Sequence, residues 1–388
     1  MNDRLAELCR RMSEVGVDAA LLLHPRDILY YAGTVRPASL LVAAGAPEQD
    51  AVLFVRRGVR EVREEARVET VRPMHGFGAI TEAVEALGLR PGTLGLELDT
   101  TSAALYERVA AAFSDWEIRD VTPVVLDQRM IKEEREIAAT RCAAAVADAG
   151  HRALARALEP DREELALAAD VEKAMRLAGH EGFQPLRHPE ARGGGVFLMS
   201  GTHLTVRGGH GLIVTGAGLS AGSPYGPSRR VVQEGDLVVL DIGSATEGYT
   251  ADVSRTYAVG EPSSAQQALF DAVCRTEEAV LEALRPGVAI AEIYETAEGV
   301  VAEGAGPAFG PGSLALPGFV GHGVGLELDE PPVLWPREKS ALRRGMVLAV
   351  EIEVSAPDVG WMAKLEDTVV VRSDGAEMLS HVPRELTG

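Results

Sequence analysis

The chain has 388 residues, 46% hydrophobic and 25% charged, with a net charge of −20. That size and balance describe a globular protein of two or three domains and exclude collagenous, disordered and small disulfide-built classes. The acidic surface offers no basic face for nucleic acid or for an anionic membrane, so neither is an expected partner. No apolar run reaches the roughly 18 residues of a spanning helix. The opening MNDRLAELCRRM carries no apolar signal core. Cys9, Cys142 and Cys274 are few and scattered, which fits a reducing, cytoplasmic compartment.

In chain order, Leu5, Leu8, Met12 and Val15 recur at helical spacing and predict a helix over 2–16, stopped by Gly16. A strand over 19–23 and a turn at His24-Pro25 follow. Strands are expected at 40–44, 51–55, 93–98 and 116–121, and helices at 79–87 and 102–113. This alternation predicts an α/β unit over 1–125. The domain boundary is placed within 124–132, with a second domain over 126–388. That domain opens on an Ala-, Glu- and Arg-rich helix over 133–158. A further helix over 161–178 has Asp161 as N-cap and Glu164 three residues on. Strands and loops are expected at 190–235, helices at 263–284 and 290–305, and strand–turn alternation from Phe319 onward. Lysine occurs only at 132, 173, 339 and 364, and nothing catalytic is read from it.

The chemistry concentrates in three stretches. Leu237–Leu240 is a continuous apolar run ended by Asp241; Gly243 and Gly248 bracket an expected turn, and Tyr249–Val259 returns carrying Asp252. In MVLAVEIEV, alternation puts Leu348, Val350 and Ile352 on one strand face and Glu351 and Glu353 on the other. Glu366 lies in KLEDTVVV. A strand–turn–strand bearing two carboxylates thus occurs twice. Between the two lies His322 in Gly-His-Gly-Val-Gly, where the flanking glycines leave the imidazole room to approach a ligand. Two Asp, one His and two Glu suit two divalent ions such as Mn, Co, Fe or Zn. Such a pair can hold a hydroxide and polarise a carbonyl for hydrolysis.

The pieces VVLDIG, GYTADVSRT, GHGVGLELDEPP, GMVLAVE and KLEDTVVV, in this order and spacing, resemble the M24 metallopeptidases of pita-bread fold: Xaa-Pro aminopeptidase, prolidase, methionine aminopeptidase and creatinase. HPRDILYYAG and DQRMIKEEREI resemble the creatinase-like N-terminal domain of the longer members. The resemblance implies an α/β (α+β) protein with that domain followed by a pita-bread catalytic domain, and a homodimer. It implies Asp241, Asp252, His322, Glu351 and Glu366 as metal ligands. Asp252 and Glu366 would bridge the ions, His322 would belong to the catalytic set, and Glu351 would serve as general base.

Two positions depart from the family pattern. The loop AGLSAGSPYGPSRR has no His where the peptidases carry one, and the equivalent position falls at Ser223, Pro224 or Tyr225. Tyr225 is a candidate substitute donor. His203 and His210 lie upstream and reach the site only if the loop folds back. Asp329 stands where the family usually has a second His, and its carboxylate favours a cationic group on the substrate unless Arg343 or Arg344 takes it. The expected activity is hydrolysis of C–N bonds in Xaa-Pro dipeptides or peptides by a metal-bound hydroxide. The alternative is a hydrolase or lyase of the same fold acting on a small, cationic non-peptide. Asp329, Tyr225 and His210 are the expected substrate contacts.

Overall fold

The computed structural model describes residues 3–45, 51–182, 185–187, 195–208 and 213–386. The chain divides into two compact units, Met1–Arg129 and Met130–Gly388. The first runs α1 (Asp3–Glu14), β1 (Ala19–Leu22), α2 (Pro25–Ala32), β2 (Ala38–Ala43), β3 (Ala51–Val55), α3 (Val59–Glu65), β4 (Thr70–Pro73), α4 (Gly78–Ala86), β5 (Thr93–Leu96), α5 (Ala103–Ala112), β6 (Glu117–Asp120) and α6 (Thr122–Met130). Its sheet has the order β4-β3-β2-β1-β5-β6. Leu21, Leu41, Phe54 and Leu94 pack there against Ile80, Val84 and Val109 of the helices. His24-Pro25 opens a helix instead of a turn, because proline at the first helical position needs no donor and already has helical φ. α3 and β4 escape a reading of apolar periodicity: VREVREE buries only Val62, and β4 buries nothing fully. The stretch expected to link the units is the helix α6, which tolerates Pro123 in its first turn.

The second unit begins with α7 (Glu134–Ala157), where Glu133 and Glu136 form a capping box. α8 (Glu164–Leu177) starts three residues later than expected; Asp161 sits at φ 67° in the turn before it rather than at the cap. Next come β7 (Val196–Ser200), a 3₁₀ turn (Gly201–Thr205), β8 (Leu237–Thr246), β9 (Tyr249–Ala258), α9 (Ser264–Ala283) with a Ser263–Gln266 capping box, and α10 (Ile290–Ala302). The chain ends in β10 (Gly321–Gly323), β11 (Glu330–Val333), β12 (Val347–Ala356), β13 (Trp361–Val371) and β14 (Ala376–Met378).

The second sheet has the order β11-β10-β12-β13-β9-β8-β7, and β14 also pairs with β13. Two long hairpins, β8–β9 and β12–β13, form its centre. The β8–β9 turn is Glu247-Gly248, with φ of 53° and 79°. Two positive φ values are what a two-residue hairpin of the right twist requires. Gly243 does not open this turn; it lies inside β8 opposite Asp252. One face of the sheet is covered by helices. Val238, Leu240, Ile242 and Val253 pack with Val146, Leu154 and Val171 of α7 and α8. Val350, Ile352, Leu365 and Val369 pack with Leu269, Val273, Ile293 and Ala297 of α9 and α10. The alternate residues of these strands therefore face the other way.

Between the hairpins the backbone ladder is interrupted. β9 and β13 share the register pair Ser254–Glu366. On one side of it Thr368 Oγ1 donates to the Asp252 carbonyl at 2.7 Å and accepts the Asp252 N–H at 2.9 Å. On the other, Thr256 Oγ1 donates to the Lys364 carbonyl at 2.9 Å and accepts the Lys364 N–H at 2.8 Å. A hydroxyl can do both at once, so two threonines wedge the hairpins apart without leaving a backbone group unpaired. Thr256→Val keeps the shape but strands a buried N–H and a buried C=O. Each should cost about 1–3 kcal/mol in chemical denaturation, and Thr256→Ser should recover most of the loss. Equal stability of the Val variant would show that the wedge carries no energy.

Candidate metal centre

Register alone brings the predicted residues onto the face the helices leave free. Ser254 pairs with Asp241 on one side and with Glu366 on the other. Glu366 pairs with Glu351, and Ala349, two residues earlier, pairs with His322. Asp252 is two residues from Ser254 and so shares its face. All five predicted residues are buried, between 1% and 8% exposed. Asp252, His322 and Glu366 bring one potential ligand atom each within 4.8 Å of one another, and so do Asp241, Glu351 and Glu366. Glu366 belongs to both triads.

Within the cluster, His322 Nε2 lies 3.8 Å from Glu366 Oε1 and 4.0 Å from Asp252 Oδ2. His322 Nδ1 faces the Gly323 carbonyl at 3.1 Å, which fixes the proton on Nδ1 and turns Nε2 toward the acids. Asp252 Oδ1 and the Ser254 hydroxyl are buried with no hydrogen-bond partner among the described residues. Burial pushes the Asp252 carboxyl well up, and the Asp241 charge adds to this. Burial and then Asp252 do the same to Glu366. Burial opposes charge on His322, yet Asp329, Glu351 and Glu366 raise it. A donor set of carboxylates and one imidazole with an unsatisfied buried oxygen fits hard or borderline divalent ions.

The glycines around His322 serve a different purpose from the one expected. A Cβ on Gly321 would stand 2.2 Å from the Ala349 carbonyl oxygen, and one on Gly323 would stand 2.3 Å from that of Pro331. They admit the neighbouring strands rather than a ligand.

The departures from the family pattern fall as follows. Asp329 is half exposed, with Oδ1 3.5 Å from His322 Nδ1. Tyr225 meets Phe197 edge-on at 6.1 Å between centroids. Phe197 pairs with Asp241 in register, so Tyr225 approaches the acid-bearing face. His203 is not free to replace a missing histidine: its Nδ1 lies 3.2 Å from Glu164. Glu164 is buried and also accepts the N–H and hydroxyl groups of Ser200 and Ser228. His210 lies outside the described residues.

Alternation places Glu353 on this face, but neither it nor Lys364 carries a role read from the sequence. Lys364 is 1% exposed; its Nζ stands 2.6 Å from Asp241 Oδ2, 2.5 Å from Glu351 Oε1 and 3.3 Å from Glu366 Oε2. Burial disfavours the ammonium, but Asp241, Glu351 and Glu366 hold its pKa well above the ordinary lysine value. Glu353, also 1% exposed, accepts the Val214 N–H at 2.9 Å, and burial raises its carboxyl. The available signal was the strand period: each lies two residues from a predicted ligand.

Such crowding makes the acid face a cost to the metal-free fold. Asp252→Asn removes a buried carboxyl whose ionisation burial and the Asp241 charge oppose. In chelator-stripped protein it should raise Tm by about 2 °C or more, read by calorimetry; a fall would mean that the cluster compensates Asp252 internally.

Comparison with known proteins bears on the whole chain. Residues 138–373 match metallopeptidase family M24, and residues 4–131 match the creatinase/prolidase N-terminal domain. An Xaa-Pro dipeptidase of Pyrococcus furiosus is 27% identical over 387 residues, covering 100% of both chains. The solved Xaa-Pro dipeptidase from Bacillus anthracis superimposes with a TM-score of 0.83 at 25% identity, covering 99% of each chain. The dipeptidase PepE from Mycobacterium ulcerans does so with a TM-score of 0.79 at 28% identity, covering 99% of this chain and 96% of its own. A buried carboxylate–imidazole face, carried on this sheet and matched over this span, places the chain in metallopeptidase family M24 as a metal-dependent peptidase.

Proposed function

We propose that this protein hydrolyses Xaa-Pro dipeptides with two divalent ions, manganese being the first choice, on the Asp241–Asp252–His322–Glu351–Glu366 face. The observation that carries the reading is the pair of buried ligand triads sharing Glu366, together with relatives named for that activity. Ions bound there would polarise the scissile carbonyl and acidify water. The chain's own residues do the rest. His322 presents Nε2 because Nδ1 is committed to Gly323. Asp241, Asp252, His322, Glu351 and Glu366 would hold the ions, Glu366 belonging to both triads. Glu351 takes the proton from the attacking water and returns it to the leaving proline nitrogen. Tyr225 stands in for a lost histidine as a hydrogen-bond donor to the substrate, and His210 is the other proposed substrate contact. Residues 126–388 supply the chemistry and 1–125 a supporting domain, in a cytoplasmic homodimer.

A second reading rests on Asp329. Its half-exposed carboxylate beside His322 favours a substrate with a cationic nitrogen near the scissile bond, including a small non-peptide. Purified protein loaded with Mn or Co should cleave an Xaa-Pro panel, and Glu351→Gln should lose about 10²–10⁴-fold in kcat. No cleavage by protein holding about two ions per chain would reject the peptidase reading in favour of the cationic substrate. Asp329→Asn should raise KM for cationic substrates alone; an unchanged KM across the panel would dispose of that second reading.

A further inference from the structure

The excursion between β7 and β8 leaves the sheet after Ser200, the last residue of β7, and carries Tyr225. One buried carboxylate holds both of its feet. Glu164 opens α8 and is 0% exposed. Its Oε1 accepts the Ser200 N–H at 2.9 Å and the Ser200 hydroxyl at 2.7 Å. Its Oε2 accepts the Ser228 N–H at 3.0 Å and the Ser228 hydroxyl at 2.6 Å, and His203 Nδ1 lies 3.2 Å from the same oxygen. The backbone of α8 grips the second foot as well: the N–H groups of Leu165 and Glu164 donate to the carbonyls of Ser228 and Arg230, each at 2.9 Å. None of these bonds reaches a predicted metal ligand.

The two feet lead directly to Tyr225. Phe197 shares β7 with Ser200, and Tyr225 shares a short segment with Ser228. The Tyr225 ring stands edge-on to Phe197, whose register partner is Asp241. On its far side the segment is pinned by the Gly226 N–H, which donates to the Thr215 carbonyl at 2.7 Å. Holding Ser200 against Ser228 therefore sets where Tyr225 meets the acid face. We propose that Glu164 is a positioning residue for the reaction, acting through Ser200 and Ser228 on the placement of Tyr225. The chemistry explains why a carboxylate does this. The two serine N–H groups are donors fixed by the backbone, one on each oxygen, and only a carboxylate accepts at both ends. A glutamine has one acceptor oxygen, so its NH₂ must face one of the two N–H groups. One foot then loses its partner and keeps a buried, unpaired donor.

This rests on the reading of Tyr225 as a donor to the substrate, and a double-mutant cycle separates the two. Full-length protein loaded with Mn(II) is assayed on an Xaa-Pro dipeptide, with bound ions counted by electron paramagnetic resonance. Tyr225→Phe should lower kcat/KM by about 10²-fold. Glu164→Gln should lower it by about tenfold in the native background, through misplacement of Tyr225, and by less than about twofold when Tyr225 is already Phe. The ion count should stay unchanged throughout. Ser228→Ala, which removes one hydroxyl from the clamp, should repeat the pattern more weakly and decides alone should Glu164→Gln fail to fold. Equal losses in both backgrounds, or no loss in either, overturn the proposal while leaving Tyr225 its role. So does a lost ion, since Glu164 would then act on the centre itself. A Tyr225→Phe protein as active as the wild type removes the role of Tyr225 and this inference together. A wild-type protein that holds its ions but cleaves no dipeptide rejects the peptidase reading and carries the inference with it.

Discussion

Asp241, Asp252, Glu351, Glu353 and Glu366 are all buried, at 1–7% exposure, on one face of one sheet. A single ionised carboxylate taken from water costs several kcal/mol unless it is paired. Five together repel one another as well, and proton uptake by the carboxyls or positive charge inside the cluster relieves that. Lys364 is one such charge, and each of the two triads is a group that could hold a metal ion. The surrounding structure works to keep this unfavourable arrangement intact. Four helices bury the opposite face of the same strands, so the sheet cannot turn its acids outward without exposing its core.

Support also comes from directly behind the acids. On the helix-covered face Arg255 is 1% exposed and donates to Asp367 Oδ1 at 2.7 Å and to the carbonyl of Glu366 at 2.8 Å. It also donates to the carbonyls of Val382 and Pro383. Arg384 donates to the other Asp367 oxygen, at 2.9 Å from Nη2. Two of the residues alternating with the acids, Arg255 and Asp367, are thus themselves charged and paired with each other. The C-terminal segment is tied to the strand that carries Glu366. The two threonines complete the frame, since each replaces a stretch of backbone ladder with a hydroxyl and holds the hairpins together at wider spacing.

The departures from the family pattern read coherently against this frame. Tyr225 and Asp329 both lie at the edge of the acid face, one against Phe197 and the other against His322. Neither change touches the two triads. The triads lie on strands held in register, whereas the two departures lie in the segments after β7 and β10.

Much of the centre was legible because strand alternation is local. The apolar runs around Asp241, Glu351 and Glu366 announced buried strands, and a period of two assigned their faces without knowledge of neighbours. Resemblance to the M24 peptidases supplied the order and spacing of the motifs. What the sequence could not show is which residues of different strands stand opposite one another. The β8–β9 turn falls at Glu247-Gly248 and not at Gly243 because register, set by the whole hairpin, decides it. The glycines at 321 and 323 answer to carbonyls of other strands, and His203 to Glu164 in another helix. Lys364 is the clearest case. It is an ordinary lysine in a strand, and its reach to acids from two other strands exists only after the hairpins are laid side by side. Chain-local periodicity determined which face each acid occupies; tertiary packing decided which charges share that face, because a charge acts through space and takes no account of its place in the chain.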